Sequence, residues 1–307
     1  MRVFVTGGAG FIGSSLVDAY LELGHEVFVY DNLHTGKKKN IHHNAKFILG
    51  DILDDALFDA VRTVKPHVIS HHAGLVGIEG SYEDPMGYGA ANFHGTTRVL
   101  LAALESGVRR VIYGSSSTPL YGKGEGKKID ESQPLSPVTP YGVYSASSEL
   151  MLKTGQREGI DTVCLRYSNV YGPRQDPLVG GVIATFIDRI LKEQLIEIHG
   201  DGTQRRDFVF IDDVTLANVA ALDFGEGESF HVCTGVETEI RVLPGILHSL
   251  SGKRVENFHD RSRNELPVSS YLDNRKAWDL LGWTPSVGIE DGIQRVWKYR
   301  LEEEGDN

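Results

Sequence analysis

The chain has 307 residues, 40% hydrophobic and 24% charged, ordinary globular values that exclude disorder. Its 31 Lys and Arg against 42 Asp and Glu give a formal net charge of -11, which repels a phosphate backbone at long range and argues against nucleic acid as a partner. The two cysteines, Cys164 and Cys233, lie in apolar runs and give neither a disulfide framework nor a zinc spacing, so both are expected in the core.

Residues 1–6 already read as strand, which leaves no room for a signal peptide, and no apolar run approaches the ~20 residues of a membrane span. A soluble cytoplasmic protein is expected. Val3 to Val5 reads as a strand, Ile12 to Leu23 as a helix and Val27 to Tyr30 as the next strand. Ile12, Leu16, Ala19 and Leu23 recur at helical spacing, and Gly24 supplies the stop. The alternation continues with Phe47 to Leu49, an amphipathic stretch over Leu57 to Val64, the strand Val68 to Ser70, a long helix from about Pro85 to Ser106 and the strand Val111 to Tyr113. Near-continuous apolar strands separated by helices predict a parallel sheet covered on both faces. Beyond about residue 170 the pattern becomes irregular, with a strand at Leu195 to His199 and a last helix near Gly288 to Tyr299. The expectation is an α/β fold, 1–168 forming the first domain with a returning segment near 207–235, and 169–307 forming mainly a smaller, mixed α/β lobe. Leu301 to Asn307 reads as a solvated end.

Gly7-Gly8-Ala9-Gly10-Phe11-Ile12-Gly13 joins the first strand to the first helix. Glycines at 7, 10 and 13 let the chain turn, let a diphosphate approach the backbone and let the helix pack on the strand, with the diphosphate on the helix N-terminus. Asp31, at the end of the second strand and followed by Asn32, is placed to accept hydrogen bonds from a ribose diol. An acid there disfavours a 2′-phosphate, so a Rossmann-type, doubly wound sheet binding NAD rather than NADP is expected. Asp31 also reads as a turn residue, a compatible role. Asp51-Ile52 reads equally well as a flank of the adenine or as the start of a solvated helix. His71 and His72 end the fourth strand and point to opposite faces, so a shared metal is not expected.

With these motifs in view the sequence resembles the extended short-chain dehydrogenases/reductases, and within them the nucleotide-sugar epimerases of the UDP-glucose 4-epimerase type. The likeness runs through His72-Ala73-Gly74, Asn92, Ser115-Ser116-Ser117-Thr118-Pro119-Leu120-Tyr121-Gly122, Pro140-Tyr141-Gly142, Arg166 to Arg174, Gly200 to Phe208 and Leu280-Leu281-Gly282-Trp283. The resemblance implies coenzyme contacts from His72, Ala73, Asn92, Ser115, Tyr141 and Tyr167. It also implies a reaction in which a tyrosine removes a sugar hydroxyl proton while NAD accepts the hydride, and the keto-sugar rotates and is reduced from its other face. Tyr141 matches that tyrosine, and Ser117 the serine of its proton relay, next to Thr118.

One member is missing. A phenol with the ordinary pKa near 10 is ionised about one part in a thousand at neutral pH, and the family's usual help is a lysine four residues after the tyrosine. Here that position is Ser145. Lys153 stands two helical turns farther on, roughly 12 Å along the axis, too far to replace it. Three readings are open: an enzyme whose tyrosine is tuned by NAD+ alone or by another cation, a catalytically silent relative that binds NAD and nucleotide sugar, or a variant form of an active epimerase.

For the second ligand the resemblance implies Asn169 and Arg206 at a sugar diphosphate, Arg206 because guanidinium binds phosphate oxygens bidentately. It adds Arg263 as a second diphosphate arginine and Ser270 as a small residue beside the hexose. The related 4,6-dehydratases need a separate acid and base and carry an Asp-Glu pair where this chain has Thr118-Pro119, so epimerisation is favoured over dehydration. A UDP-sugar is the expected substrate. The helices over Pro85 to Ser106 and Tyr141 to Lys153 would form a homodimer surface, as in the family.

Overall fold

The computed structural model describes residues 1–122, 127–253, 255–260 and 271–305. Its strands are β1 (Arg2–Thr6), β2 (Glu26–Asp31), β3 (Lys46–Leu49), β4 (Val68–His71), β5 (Arg110–Ser116), β6 (Asp161–Tyr167), β7 (Asn169–Tyr171), β8 (Ile196–His199), β9 (Arg205–Phe210), β10 (Ser229–Val232), β11 (Glu237–Glu239) and β12 (Asn257–Asp260). Seven of them pair in parallel in the order β10-β6-β5-β4-β1-β2-β3. The helices that matter below are α1 (Phe11–Glu22), α2 (Ala56–Val64), α3 (Gly95–Ser106), α4 (Pro140–Gly155), α5 (Val182–Leu191) and α6 (Ile211–Ala220).

Alternate residues of β1 feed two cores, as the twofold period of a strand requires. Val3 and Val5 meet Leu16, Val17 and Tyr20 of α1 and Val214 and Ala217 of α6. Phe4 meets Leu57 and Val61 of α2 and Val99 and Ala103 of α3 on the other face. Each such side chain, taken fully out of water, contributes about 1.5–3 kcal/mol, and this two-sided burial is why the strands read as unbroken apolar runs. Cys164 and Cys233 are both buried.

The sheet's first switch of chain order lies between β1 and β4, the place where open α/β sheets receive ligands beyond their strand ends. The smaller lobe grows from the other side. A single residue, Ser168, separates β6 from β7, and β7 leaves the large sheet to join a three-stranded one in the order β11-β9-β7. β9 stays in that small sheet, whereas α6 packs on the first core and β10 takes the edge of the large sheet. A third, two-stranded sheet pairs β12 with β8.

Two elements differ from the sequence reading. The segment Pro85–Ser106 is helical but contains a π-turn over Gly89–His94, where the Thr96 and Ser148 hydroxyls donate to the Asn92 carbonyl at 2.5 and 3.0 Å. The last helix runs through Ile289–Gly305 rather than ending near Tyr299, because Glu303 accepts from Lys39 Nζ at 2.5 Å and from the Tyr299 hydroxyl at 3.2 Å. No described helix is long and apolar enough to cross a membrane.

Candidate active site

The glycines between β1 and α1 have three different reasons to be there. Gly7 has φ +70, and a Cβ on it would stand 2.7 Å from Ala73 N; one on Gly13 would stand 2.1 Å from the Gly7 carbonyl oxygen. Gly10 has φ -78, open to any residue, and its Cβ would near only the Gly7 oxygen, at 3.2 Å. Its free side belongs to a pocket lined by Gly7, Asp31, Asn32, Asp51, Ile52, His72 and Ala73 among others. α1 begins there at Phe11 and Ile12 with no side-chain cap, so its first N–H groups and dipole are left for an anion.

Asp31, 7% exposed, accepts Ala9 N–H on Oδ2 at 3.0 Å and Leu33 N–H on Oδ1 at 2.7 Å. The carboxylate thus builds the turn, and each oxygen keeps a further lone pair. Asp51 accepts the Asn32 amide at 2.8 Å and Leu53 N–H at 2.9 Å, and the Tyr30 hydroxyl donates to its carbonyl. It is a pocket wall braced by a turn, and α2 starts only at Ala56.

Behind this wall lies a polar layer. His71 is fully buried between Thr6 and Thr96, Nδ1 at 2.7 Å and Nε2 at 2.9 Å, while His72 turns the other way, its Nε2 2.9 Å from the Tyr167 hydroxyl. Burial lowers their pKa values to about 3 and about 4, so both are neutral. No cluster of metal-binding side chains occurs among the described residues. Tyr167 also bonds the Asn218 amide, so it stands behind His72 as its support. Asn92 holds the loop after β4, accepting Leu75 N–H at 2.7 Å and donating to Leu75 O at 2.9 Å. Ser115 is 5% exposed and its hydroxyl donates to Glu149 at 2.6 Å. These bonds of Tyr167, Asn92 and Ser115 help to shape the site.

Glu149 and Arg166 form a nearly dry, bidentate ion pair at 2.7–3.1 Å, and Arg166 also donates to the Tyr121 hydroxyl at 2.6 Å. Tyr121 in turn meets His231 Nε2 at 2.6 Å. This network pins α4 to β5 and β6. Arg166 stood in a matched motif, but a pair joining two elements leaves no periodic mark in a sequence.

Tyr141 lies in the first turn of α4, which Thr139 caps by accepting Gly142 N–H at 3.1 Å. Its ring meets Tyr88 edge-on, centroids 6.5 Å apart. Burial pushes its phenol above the usual value; the Ser116 hydroxyl opposes that, Tyr88 adds to it, and Ser145 opposes it least. Ser145 has one proton, and its Oγ donates to the Tyr141 carbonyl at 3.0 Å rather than to the phenol. Ser117 is fully buried and its Oγ lies 3.5 Å from the Thr118 hydroxyl. Ser116, which the sequence reading did not single out, stands next to Ser117 at this end of β5. No cation acts on the phenol among the described residues, and Lys153 is exposed farther along α4.

On the other side of the cleft the β7–β9 register sets Asn169 opposite Phe208, so Asn169 and Arg206 lie together at one sheet end. Asn169 donates to the Asp207 carbonyl at 3.1 Å, and Asp207 is buried, fixed by Ser168, Thr234 and Gly235. Arg206, partly buried, donates to the Arg205 carbonyl at 2.9 Å. Arg263 and Ser270 lie outside the described residues.

A nucleotide-binding turn, an acid at the second strand's end and a tyrosine opening a helix beside a serine run define an NAD-dependent sugar-modifying class, and residues 3–233 match the model of the NAD dependent epimerase/dehydratase family. The chain belongs to that family. It is 39% identical over 296 residues to a putative UDP-glucose 4-epimerase of Methanocaldococcus jannaschii, with 96% of each chain covered. It is 38% identical to the UDP-glucose 4-epimerase of Mycolicibacterium smegmatis, covering 97% of this chain and 98% of that one. A Thermotoga maritima UDP-glucose 4-epimerase with UDP-glucose superposes at a TM-score of 0.95, with 34% identity and 99% and 100% of the two chains covered. A dTDP-glucose 4,6-dehydratase of Streptomyces venezuelae with NAD superposes at 0.90 and 32% identity, covering 99% and 98%. The shared fold therefore does not choose between the two reactions.

Proposed function

We propose that this chain is an NAD-dependent 4-epimerase of UDP-hexoses, slowed by the replacement of the usual lysine with Ser145. The observation that carries the reading is that Tyr141 opens α4 while Thr118-Pro119 stand where dehydration would need an acid and a base. One group that takes and returns a single proton is enough for epimerisation. The residues present fit NAD, since Gly10 is open on its ligand side, α1 is uncapped, and Asp31 keeps acceptor capacity. When bound, NAD supplies a reversible hydride acceptor for C4 of the sugar.

The protein's own part is then assigned residue by residue. Asp31 orients the coenzyme through its ribose, Asn169 and Arg206 hold the sugar diphosphate, and Tyr141 takes the C4 hydroxyl proton onto its phenolate oxygen and later gives it back. Ser116 donates a hydrogen bond to that phenolate. Without a lysine, ionisation of Tyr141 relies on Ser116 and on the positive charge of the coenzyme.

Proton NMR with UDP-glucose, UDP-galactose and their N-acetyl and uronate counterparts tests this. The parent is expected to interconvert C4 epimers slowly, and S145K to do so roughly 10- to 1,000-fold faster, the worth of one to three pKa units. Ser145 itself favours a second reading, a silent scaffold that binds NAD and nucleotide sugar. That reading takes over when neither protein turns over although both ligands bind.

A further inference from the structure

The loop after β2 lines the coenzyme pocket and is tied to the segment that follows β7. His34 and Thr35 line the coenzyme pocket, and Gly36 packs so closely on Asp31 that a Cβ there would come within 2.8 Å of the carboxylate. Lys37 N–H and the Asn40 amide then both donate to the carbonyl of Ala9 in the glycine turn, at 3.0 and 3.1 Å. From this anchored backbone Lys37 reaches across the cleft, its Nζ 2.6 Å from Asp176 Oδ2.

Asp176 lies on the segment that begins with Asn169 at the sugar-diphosphate end. That segment carries a left-handed arginine, Arg174 at φ +67, whose Nη2 meets Asp18 of α1 at 2.7 Å. Arg174 Nη1, Asp18 Oδ1 and Gln175 Oε1 are buried with no hydrogen-bond partner among the described residues. An L residue in that region, beside buried polar atoms left unpaired, is a costly conformation that surrounding contacts must hold. The two ion pairs are those contacts: one ends on α1, which opens at the glycine turn, the other on the loop that lines the coenzyme pocket.

We propose that Lys37–Asp176, backed by Asp18–Arg174, is a clasp that holds the coenzyme loop shut and joins it to the sugar-nucleotide strand. This rests on the epimerase reading, because only a reaction in which the same coenzyme molecule gives back what it took requires retention across both half-reactions. Lys37 and Asp176 are then positioning residues. They touch neither reacting atom.

The test measures release of NAD+ from the NAD-loaded protein after rapid dilution, for the parent, K37M, D176N and the double variant, with thermal melts of each. The partly exposed pair is expected to slow release about three- to five-fold. D176N and K37M should each release NAD+ faster by that factor, and the double variant no faster than either single one, the mark of a shared interaction. Salt should accelerate release from the parent more than from the variants. Equal rates in all four proteins, or additive effects of the two single changes, overturn the clasp alone. A parent that retains NAD+ but converts no UDP-sugar overturns the epimerase reading alone. A parent that binds no NAD+ overturns both.

Discussion

A difference of one residue separates two assignments of the serine that serves Tyr141. On the proposed assignment Ser116, partly exposed, serves the phenol, whereas Ser117 is buried with its Oγ 3.5 Å from the Thr118 hydroxyl. S116A is therefore expected to lower kcat about 100-fold with little change in KM or melting temperature, the usual scale for a lost participant in proton transfer. S117A should act through the fold and lower the melting temperature. A large kcat loss in S117A with unchanged stability would reverse the assignment. Because only the ionised phenol accepts a proton, and burial raises the Tyr141 pKa, kcat/KM of the parent should climb with pH from neutral into the alkaline range. S145K should move that climb to lower pH. The absent lysine was legible once the family resemblance fixed Tyr141, but which of the adjacent serines faces the phenol is not a matter of spacing, since the strand's alternation ends where β5 meets the turn at Ser117.

At the scale of elements, the turn between β1 and α1 separates structural glycines from the one that serves a ligand. G13A places a Cβ 2.1 Å from a backbone oxygen and should destabilise the protein by about 1–3 kcal/mol, the range for overpacking. G10A meets only one oxygen, at 3.2 Å, in a backbone conformation any residue adopts. It should cost under about 1 kcal/mol in the coenzyme-free protein yet abolish NAD binding. Urea unfolding and NAD titration of both variants check this, and equal damage to stability would refute it. The parallel sheet, its helices and this turn were legible because apolar runs and glycine spacing are local signals. The π-turn at Gly89–His94 was not, because hydroxyls of Thr96 and of the distant Ser148 stabilise it. Nor was the extension of the last helix, which depends on Lys39 from the other end of the chain.

For the molecule as a whole, two histidines with no exposure tie stability to pH. Burial lowers His71 to about 3 and His231 to about 4, against an ordinary 6.5. The unfolded chain takes up these protons first as pH falls, so their contribution is fully present above pH 6.5 and is lost progressively on the way down to about 4. At pH 5 each should remove about 2 kcal/mol of unfolding free energy. Urea melts at pH 7.5 and 5 test it, and equal or greater stability at pH 5 would contradict it. Of the two, only His71 carried a mark in the sequence, its place at a strand end. Their partners, Thr6 and Thr96 for one and Tyr121 for the other, come from elsewhere in the chain and appear only when the sheet is assembled.

The single residue between β6 and β7 has a consequence for recombination. The chain enters the small sheet after Ser168, leaves it after β9 to lay α6 and β10 on the large sheet, and crosses back to form β11. The half that carries Asn169 and Arg206 is therefore no cassette. A chimera made by one crossover near residue 168 would import a foreign edge strand, β10, along with the foreign sugar pocket. Exchanging that half between relatives would instead take three junctions, one at each passage between the large sheet and the three-stranded one.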